Sequence, residues 1–314
     1  MFRNKKYKKL EHVNVLFDSY GFGDYIAFLP VIKYVRDHAP NIVQHVWVRD
    51  FFLDLAKNLV PGVIIKPLSK GEKEYNAKMA GVKLDWPNHT TLGTHTTDFG
   101  FHVLLDKQVE SKFKNYCSLD TSKIDITKFN LPEKYVVLST GFTSPVREMI
   151  PETANGIIDY CKSKGYEVVA LGSTDAKSGV GANIKGFFND KINFDDTICL
   201  VNQTSPTEAG KIIAGAKIIV GLDNALLHLA GCTEIPIVGG FTTVDPKHRM
   251  PYRHDELGWN YYPVEPNESL ECRGCQSNFV HVYDHDFREC YYGDRLCVTQ
   301  LTADKYIEQL EKIL

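Results

Sequence analysis

The sequence predicts an α/β protein of two successive units, each a parallel sheet flanked by helices. Three observations carry that expectation. Short β-rich apolar runs alternate with stretches of helical length, the pattern starts at residue 13 and restarts at 135, and each start is followed by a glycine-containing loop. A chain of 314 residues also has room for two compact domains, each with its own core.

The first unit opens with VNVLFDS at 13–19, a strand, then the turn YGFG and a helix from about Tyr25 to His38. A strand at Val43–Val48, a short helix at about Phe51–Leu59 and a strand at Val63–Ile65 follow. From about Lys66 to Lys128 the periodicity weakens, and His89, His95 and His102 fall among threonines and aromatics. No element is assigned there. A long irregular stretch of this kind suits a binding surface.

The stretch Lys128–Lys134, with Pro132, reads as a boundary. Beyond it come a strand YVVLS at 135–139, a glycine-containing loop, a helix from about Pro151 to Lys164 and a strand YEVVALG at 166–172. A strand near Ile198–Val201, a helix at about Thr207–Gly215 and a strand at Lys217–Val220 lead into IIVGLDNALLHLAGCTEIPIVGGFTTVDPKHRMP, residues 218–251. The closing LTADKYIEQLEKIL has helical spacing, with Thr302 as cap and Asp304 in the first turn. The predicted domains are 1–130, 131–300 and a C-terminal helix 301–314.

Hydrophobic residues make up 43% of the chain and charged residues 24%, with no apolar run of bilayer length and no signal peptide, so a cytoplasmic globular protein is expected. A net charge of −3 lacks the broad basic footprint of a nucleic-acid binder. The exception is MFRNKKYKKL, whose Arg3, Lys5, Lys6, Lys8 and Lys9 suit peripheral contact with anionic lipid or nucleic acid, or form a solvated terminus.

Two Rossmann-like domains place a cleft at the carboxyl ends of their strands, and three loops point to it. In SYGFGDY, Asp24 stands at a helix start, either as a cap or as a carboxylate able to take a proton from an acceptor hydroxyl. In STGFTSPVREMIP, Thr143 and Ser144 can donate to phosphate oxygens, and Arg147 can clamp a leaving diphosphate or simply sit on the surface. At the third loop a strand stops at Asp223 and Asn224, with His228 one turn into a helix. Unpaired amides there suit an anion; the alternative is an ordinary capped helix between buried strands.

Four cysteines crowd into the last quarter as C-x2-C-x14-C-x6-C: Cys272, Cys275, Cys290 and Cys297. That spacing suits a tetrahedral four-sulfur site for structural zinc or iron, with free thiols or disulfides as the alternatives. Cys117, Cys161, Cys199 and Cys232 are scattered and need no special role. Asp284-His285-Asp286 matches a D-x-D metal pattern but lies outside the three loops that point to the cleft.

VNVLFDSYGFGDYIAFLPVIKYVRDHAP followed by VWVRDFF resembles the opening of the heptosyltransferases of glycosyltransferase family 9. DNALLHLAG and EIPIVGGFTTVDP are similar to that family's Asp-Thr-Gly-x-x-His signature with its trailing Leu-Ala, Pro and Gly-x-Thr-x-Pro elements. STGFTSPVREMIP resembles the donor-phosphate loop, with Arg147 where a lysine is usual. The resemblance covers nearly the whole chain apart from about residues 66–128. It implies a GT-B fold and an inverting, metal-ion-independent transfer of a heptose or another sugar from a nucleotide-diphosphate sugar to an acceptor hydroxyl.

By that resemblance Asp24 is the general base, and Arg147 and His228 complete the catalytic set. Thr143, Ser144, Arg147, Gly172, Ser173, Asp223, Asn224, Ala225 and His228 bind the donor. Asn224 and Ala225 depart from the signature threonine and glycine, which leaves the sugar and nucleotide open. The four-cysteine segment, 272–297, resembles the iron-binding finger of bacterial autotransporter heptosyltransferases. A glycan or a protein is the expected acceptor. The alternatives are sugar transfer to hydroxymethylated bases in phage DNA, or a non-catalytic nucleotide-binding protein with the finger as an interaction module.

Overall fold

The structure is a computed structural model that describes residues 12–16, 21–69, 82–83, 94–141, 145–173, 191–277, 290 and 292–314. The first unit runs β1 (His12–Leu16), α1 (Phe22–His38), β2 (Val43–Val48), α2 (Leu53–Leu59), β3 (Ile64–Pro67) and β4 (Val82–Lys83). Its four strands are parallel and ordered β3-β2-β1-β4. After α3 (Thr96–Leu105), the second unit runs β5 (Tyr135–Ser139), α4 (Pro151–Ser163), β6 (Glu167–Ala170), β7 (Ile198–Cys199), α5 (Pro206–Gly215), β8 (Ile219–Leu222), α6 (Ala225–Ala230) and β9 (Ile237–Gly240). It closes with the antiparallel pair β10 (Tyr252–Arg253) and β11 (Glu256–Leu257), then β12 (Tyr261–Val264), α7 (Leu296–Thr299) and α8 (Ala303–Leu310). Six parallel strands take the order β12-β9-β8-β5-β6-β7.

The near-continuous apolar run of β5 follows from burial on both faces of its sheet. Tyr135 and Val137 enter one core, whereas Val136 and Leu138 enter another with α4 and α8. Tyr306 of α8 is fully buried there, and its hydroxyl donates to the Gly221 carbonyl at 3.3 Å. Thr302 occupies the N-cap position of α8 without a side-chain hydrogen bond.

Where the sequence predicts separate cores, one cluster runs through both units, from Val15 and Val46 of the first sheet to Val137 and Ile219 of the second. The reason is α1. Every residue from Tyr25 to Ile32 is buried, so the helix needs cover all round, and it packs on α3 and α6 as well as sharing the first sheet's core. The helix also starts earlier than its apolar pattern suggests, at Phe22, with Gly21 as N-cap.

The unassigned stretch holds β4 and α3, then an irregular segment laid on the second unit. There the Tyr116 amide donates to the Tyr252 carbonyl and the Leu119 amide to the Cys232 carbonyl, both at 2.9 Å. Asn58 and Asp120 exchange two hydrogen bonds that tie this segment back to α2. No helix among the described residues is long and apolar enough to cross a membrane.

Candidate active site

Three chain reversals at the carboxyl ends of strands bring the predicted residues together, as parallel sheets do for ligands. Asp223 directly follows β8, and its amide donates to the Gly240 carbonyl at 2.9 Å. Arg147 lies in the loop after β5. That loop turns at Gly141, whose φ of +78° favours glycine, and is pinned by Met149 donating to the Thr140 carbonyl at 2.9 Å. Asp24 sits in the first turn of α1.

The Asp223 carboxylate is the hub. Arg147 Nη2 is 3.0 Å from Oδ2 and donates also to the Asp223 main-chain carbonyl. His228 Nε2 stands 3.8 Å from Oδ1, and Arg249 Nε 3.9 Å from Oδ2. Burial pushes the Asp223 carboxyl up, but the Arg147 and Arg249 guanidiniums outweigh it and hold the pKa below the usual value. Arg249 reaches the other unit as well: its Nη1 is 3.2 Å from Asp24 Oδ1.

His228 is buried, and desolvation pulls its pKa down to about 3 despite the opposing pull of Asp223, so the imidazole is neutral. A carboxylate only accepts, so the proton belongs on Nε2, facing Asp223. Nδ1 then accepts from the Tyr116 hydroxyl at 2.9 Å. Gly23 makes this packing possible, because a Cβ there would lie 2.6 Å from His228 Cδ2 and 3.3 Å from Ala225 Cα. The starts of α1 and α6 therefore touch.

Asn224 caps α6. Its Oδ1 accepts from the Leu226 amide at 2.8 Å and the Leu227 amide at 3.4 Å, and its Nδ2 donates to Ser139 Oγ at 2.9 Å. The Leu226 and Leu227 amides of this six-residue helix are thus taken by the cap, whereas the sequence reading left the first amides unpaired; Arg147 and Arg249 bring positive charge to the site. Gly172 lies past the end of β6, where among the described residues no atom comes within 4 Å of an added Cβ, and Ser173 is exposed. Thr143, Ser144, Asp284, His285 and Asp286 lie outside the described residues, as does the basic N-terminus.

Sequence reasoning missed Arg249 and Tyr116. Arg249 follows Lys247 and His248 and reads as surface charge, whereas Tyr116 lies in the stretch without periodicity.

Cys272, Cys275, Cys290 and Cys297 are free thiols. Burial raises the Cys297 thiol to about 12, and the other three add to the effect, so the four share one neighbourhood. Among the described residues, however, no group of three or more His, Cys, Asp or Glu side chains is arranged to hold a metal ion. The metal reading thus rests on the spacing.

The family model for glycosyltransferase family 9 (heptosyltransferase) matches residues 94–273, more than half of the chain. No curated protein sequence matches. Among solved structures, the iron-containing dodecameric glycosyltransferase TibC from enterotoxigenic E. coli superposes with a TM-score of 0.71 at 18% identity, over 97% of this chain and 79% of that one. E. coli ADP-heptose LPS heptosyltransferase II gives 0.61 at 15% identity, over 96% and 98%. E. coli heptosyltransferase WaaC with ADP gives 0.59 at 13%, over 96% and 100%. These likenesses establish an α/β fold with parallel sheets like that of the GT-B heptosyltransferases. With the family match, they place the chain in glycosyltransferase family 9, the heptosyltransferase family, and make it a glycosyltransferase.

Proposed function

We propose that the enzyme transfers a sugar, with inversion, from a nucleotide-diphosphate sugar to an acceptor hydroxyl of a glycan or protein. The observation that carries this reading is the meeting of Asp24 with Arg249, Asp223, Arg147 and His228 where α1 and α6 touch. Asp24 accepts the hydroxyl proton, the acceptor oxygen bonds to the anomeric carbon, and the bond to the diphosphate breaks with its electron pair leaving on oxygen. Arg147 meets that growing charge, which supports transfer without a divalent ion in the step. Gly172 and Ser173 border the nucleotide, and Thr143 and Ser144 contact the phosphates. Asp223, Asn224, Ala225 and His228 form the donor wall. Residues 1–130 supply the acceptor side and 131–300 the donor side.

ADP-heptose is the first donor to test, since a TibC structure holds ADP-D-beta-D-heptose. Turnover would be followed as ADP release for wild type, Asp24→Ala and Arg147→Ala across a panel of nucleotide sugars. Turnover in the wild type alone supports the assignment; an Asp24→Ala enzyme of full activity removes Asp24 as base.

The four clustered thiols are read as ligands of a structural iron or zinc ion, supported by their spacing. With four sulfurs such an ion has no open position for substrate. Elemental analysis of the purified protein decides between iron, zinc and neither.

A further inference from the structure

We propose that Arg249 is a positioning residue for the transfer step, holding the Asp24 carboxylate in place and linking it to Asp223 on the donor side. The inference rests on Asp24 acting as the base. Arg249 Nη1 lies 3.2 Å from Asp24 Oδ1, and Nε lies 3.9 Å from Asp223 Oδ2, with 12% of the side chain exposed. Among the described residues, Arg249 is the one cation paired with Asp24. Its hold on Oδ1 leaves Oδ2 for the acceptor's proton.

The backbone around Arg249 is fixed from both units, which distinguishes it from a loosely held counter-ion. His95 Nε2 donates to the Met250 carbonyl at 2.8 Å, with His95 Nδ1 accepting from the Thr97 amide at 3.1 Å. The Thr96 hydroxyl donates to the His248 carbonyl at 3.4 Å. On the other flank, Ser277 Oγ accepts from the Asp245 amide at 3.0 Å and sits 3.1 Å from His248 Nδ1. Arg249 thus stands on a short turn held at both ends. Burial opposes its charge, but Asp223 and Asp24 outweigh that cost and keep the guanidinium protonated.

Charge balance supports positioning over donor capture. Arg147 and Arg249 face Asp24 and Asp223, with His228 neutral, so the two cations and two carboxylates cancel before any ligand arrives. Of the two cations, Arg249 alone touches the base.

The test measures ADP-heptose consumption in wild type, Arg249→Met, Arg249→Lys, Asp24→Asn and the Asp24→Asn/Arg249→Met double variant, with a melting curve for each. Arg249→Met is expected to lower kcat about 100-fold while the donor KM stays within about twofold, with Arg249→Lys in between. Adding Arg249→Met to Asp24→Asn should lower kcat no further. A rise in donor KM of about tenfold with kcat retained would make Arg249 a donor clamp and overturn the proposal, as would wild-type kcat in Arg249→Met. If the wild type consumes no ADP-heptose, the functional reading has failed on its own. The pairing is then judged by the melting temperatures: non-additive losses for the Asp24 and Arg249 variants support it, and additive losses overturn it.

Discussion

The Tyr116 hydroxyl lies 2.9 Å from His228 Nδ1, on the opposite side of the imidazole from the Nε2 that faces Asp223. Tyr116 is buried, and desolvation first of all raises its pKa well above the usual value, so it remains a neutral donor. Tyr116→Phe therefore leaves a buried ring nitrogen unpaired. A stability loss of about 1–3 kcal/mol is expected by denaturant unfolding, together with lower sugar transfer. Unchanged stability and turnover would show that the hydrogen bond holds nothing in place.

Gly23 offers a steric test of the same ring. The Cβ of Gly23→Ala would meet His228 Cδ2 at 2.6 Å, and that ring is held by Tyr116 and cannot swing away freely. We expect a loss of about 1–3 kcal/mol in denaturant unfolding, with lower turnover. Wild-type stability and turnover in Gly23→Ala would contradict the close contact of α1 and α6.

Acidification below the ordinary histidine range should destabilise the fold. His95 and His228 are pulled down to about 4 and about 3, chiefly by burial, against an ordinary value of 6.5. Between those values and 6.5 the unfolded chain binds protons that the native protein refuses, so stability is full above 6.5 and falls as pH drops. Each histidine contributes a slope of up to about 1.4 kcal/mol per pH unit. Asp223, held below its usual value, adds a loss at lower pH still. Unfolding at pH 7 and pH 5 checks this: His228→Gln should flatten the slope, and an unaltered slope would place the proton uptake elsewhere.

The predicted fold follows from local signals. YVVLS could be read as a doubly buried strand because both faces of β5 are covered, and Ser205 begins α5 with a capping box completed by Glu208. The continuous core was not legible, since a buried helix and an amphipathic one share apolar density and differ only in what surrounds them. Asp24, Arg147, Asp223 and His228 stood out as charged or polar residues in the loops and helix starts that follow strands. Arg249 did not, because its role depends on a partner 225 residues away. Asn224 looked like a loss relative to the family signature. Its side-chain amide instead reaches Ser139 through Nδ2 and two helix amides through Oδ1.

Metal removal tests the cysteine cluster and its link to the site. Gln276 donates to the Thr243 carbonyl at 2.8 Å, and Ser277 anchors the turn that carries Arg249, so the segment next to Cys275 supports the loop after β9. A chelator strong enough to strip iron or zinc is expected to lower the melting temperature and reduce turnover, with no metal recovered from the Cys272→Ser/Cys275→Ser variant. Full stability after complete chelation would leave the thiols without a structural ion.

The most direct measurement is a calorimetric titration of ADP into the wild type and Arg147→Ala. Arg147 pairs with Asp223 at 3.0 Å and is the cation assigned to the diphosphate. One site per chain is expected in the wild type, weakened about tenfold or more in Arg147→Ala, because a charge-assisted contact is lost. Absence of ADP binding by the wild type, or equal affinity in the variant, would contradict the placement of the donor at Arg147 and Asp223.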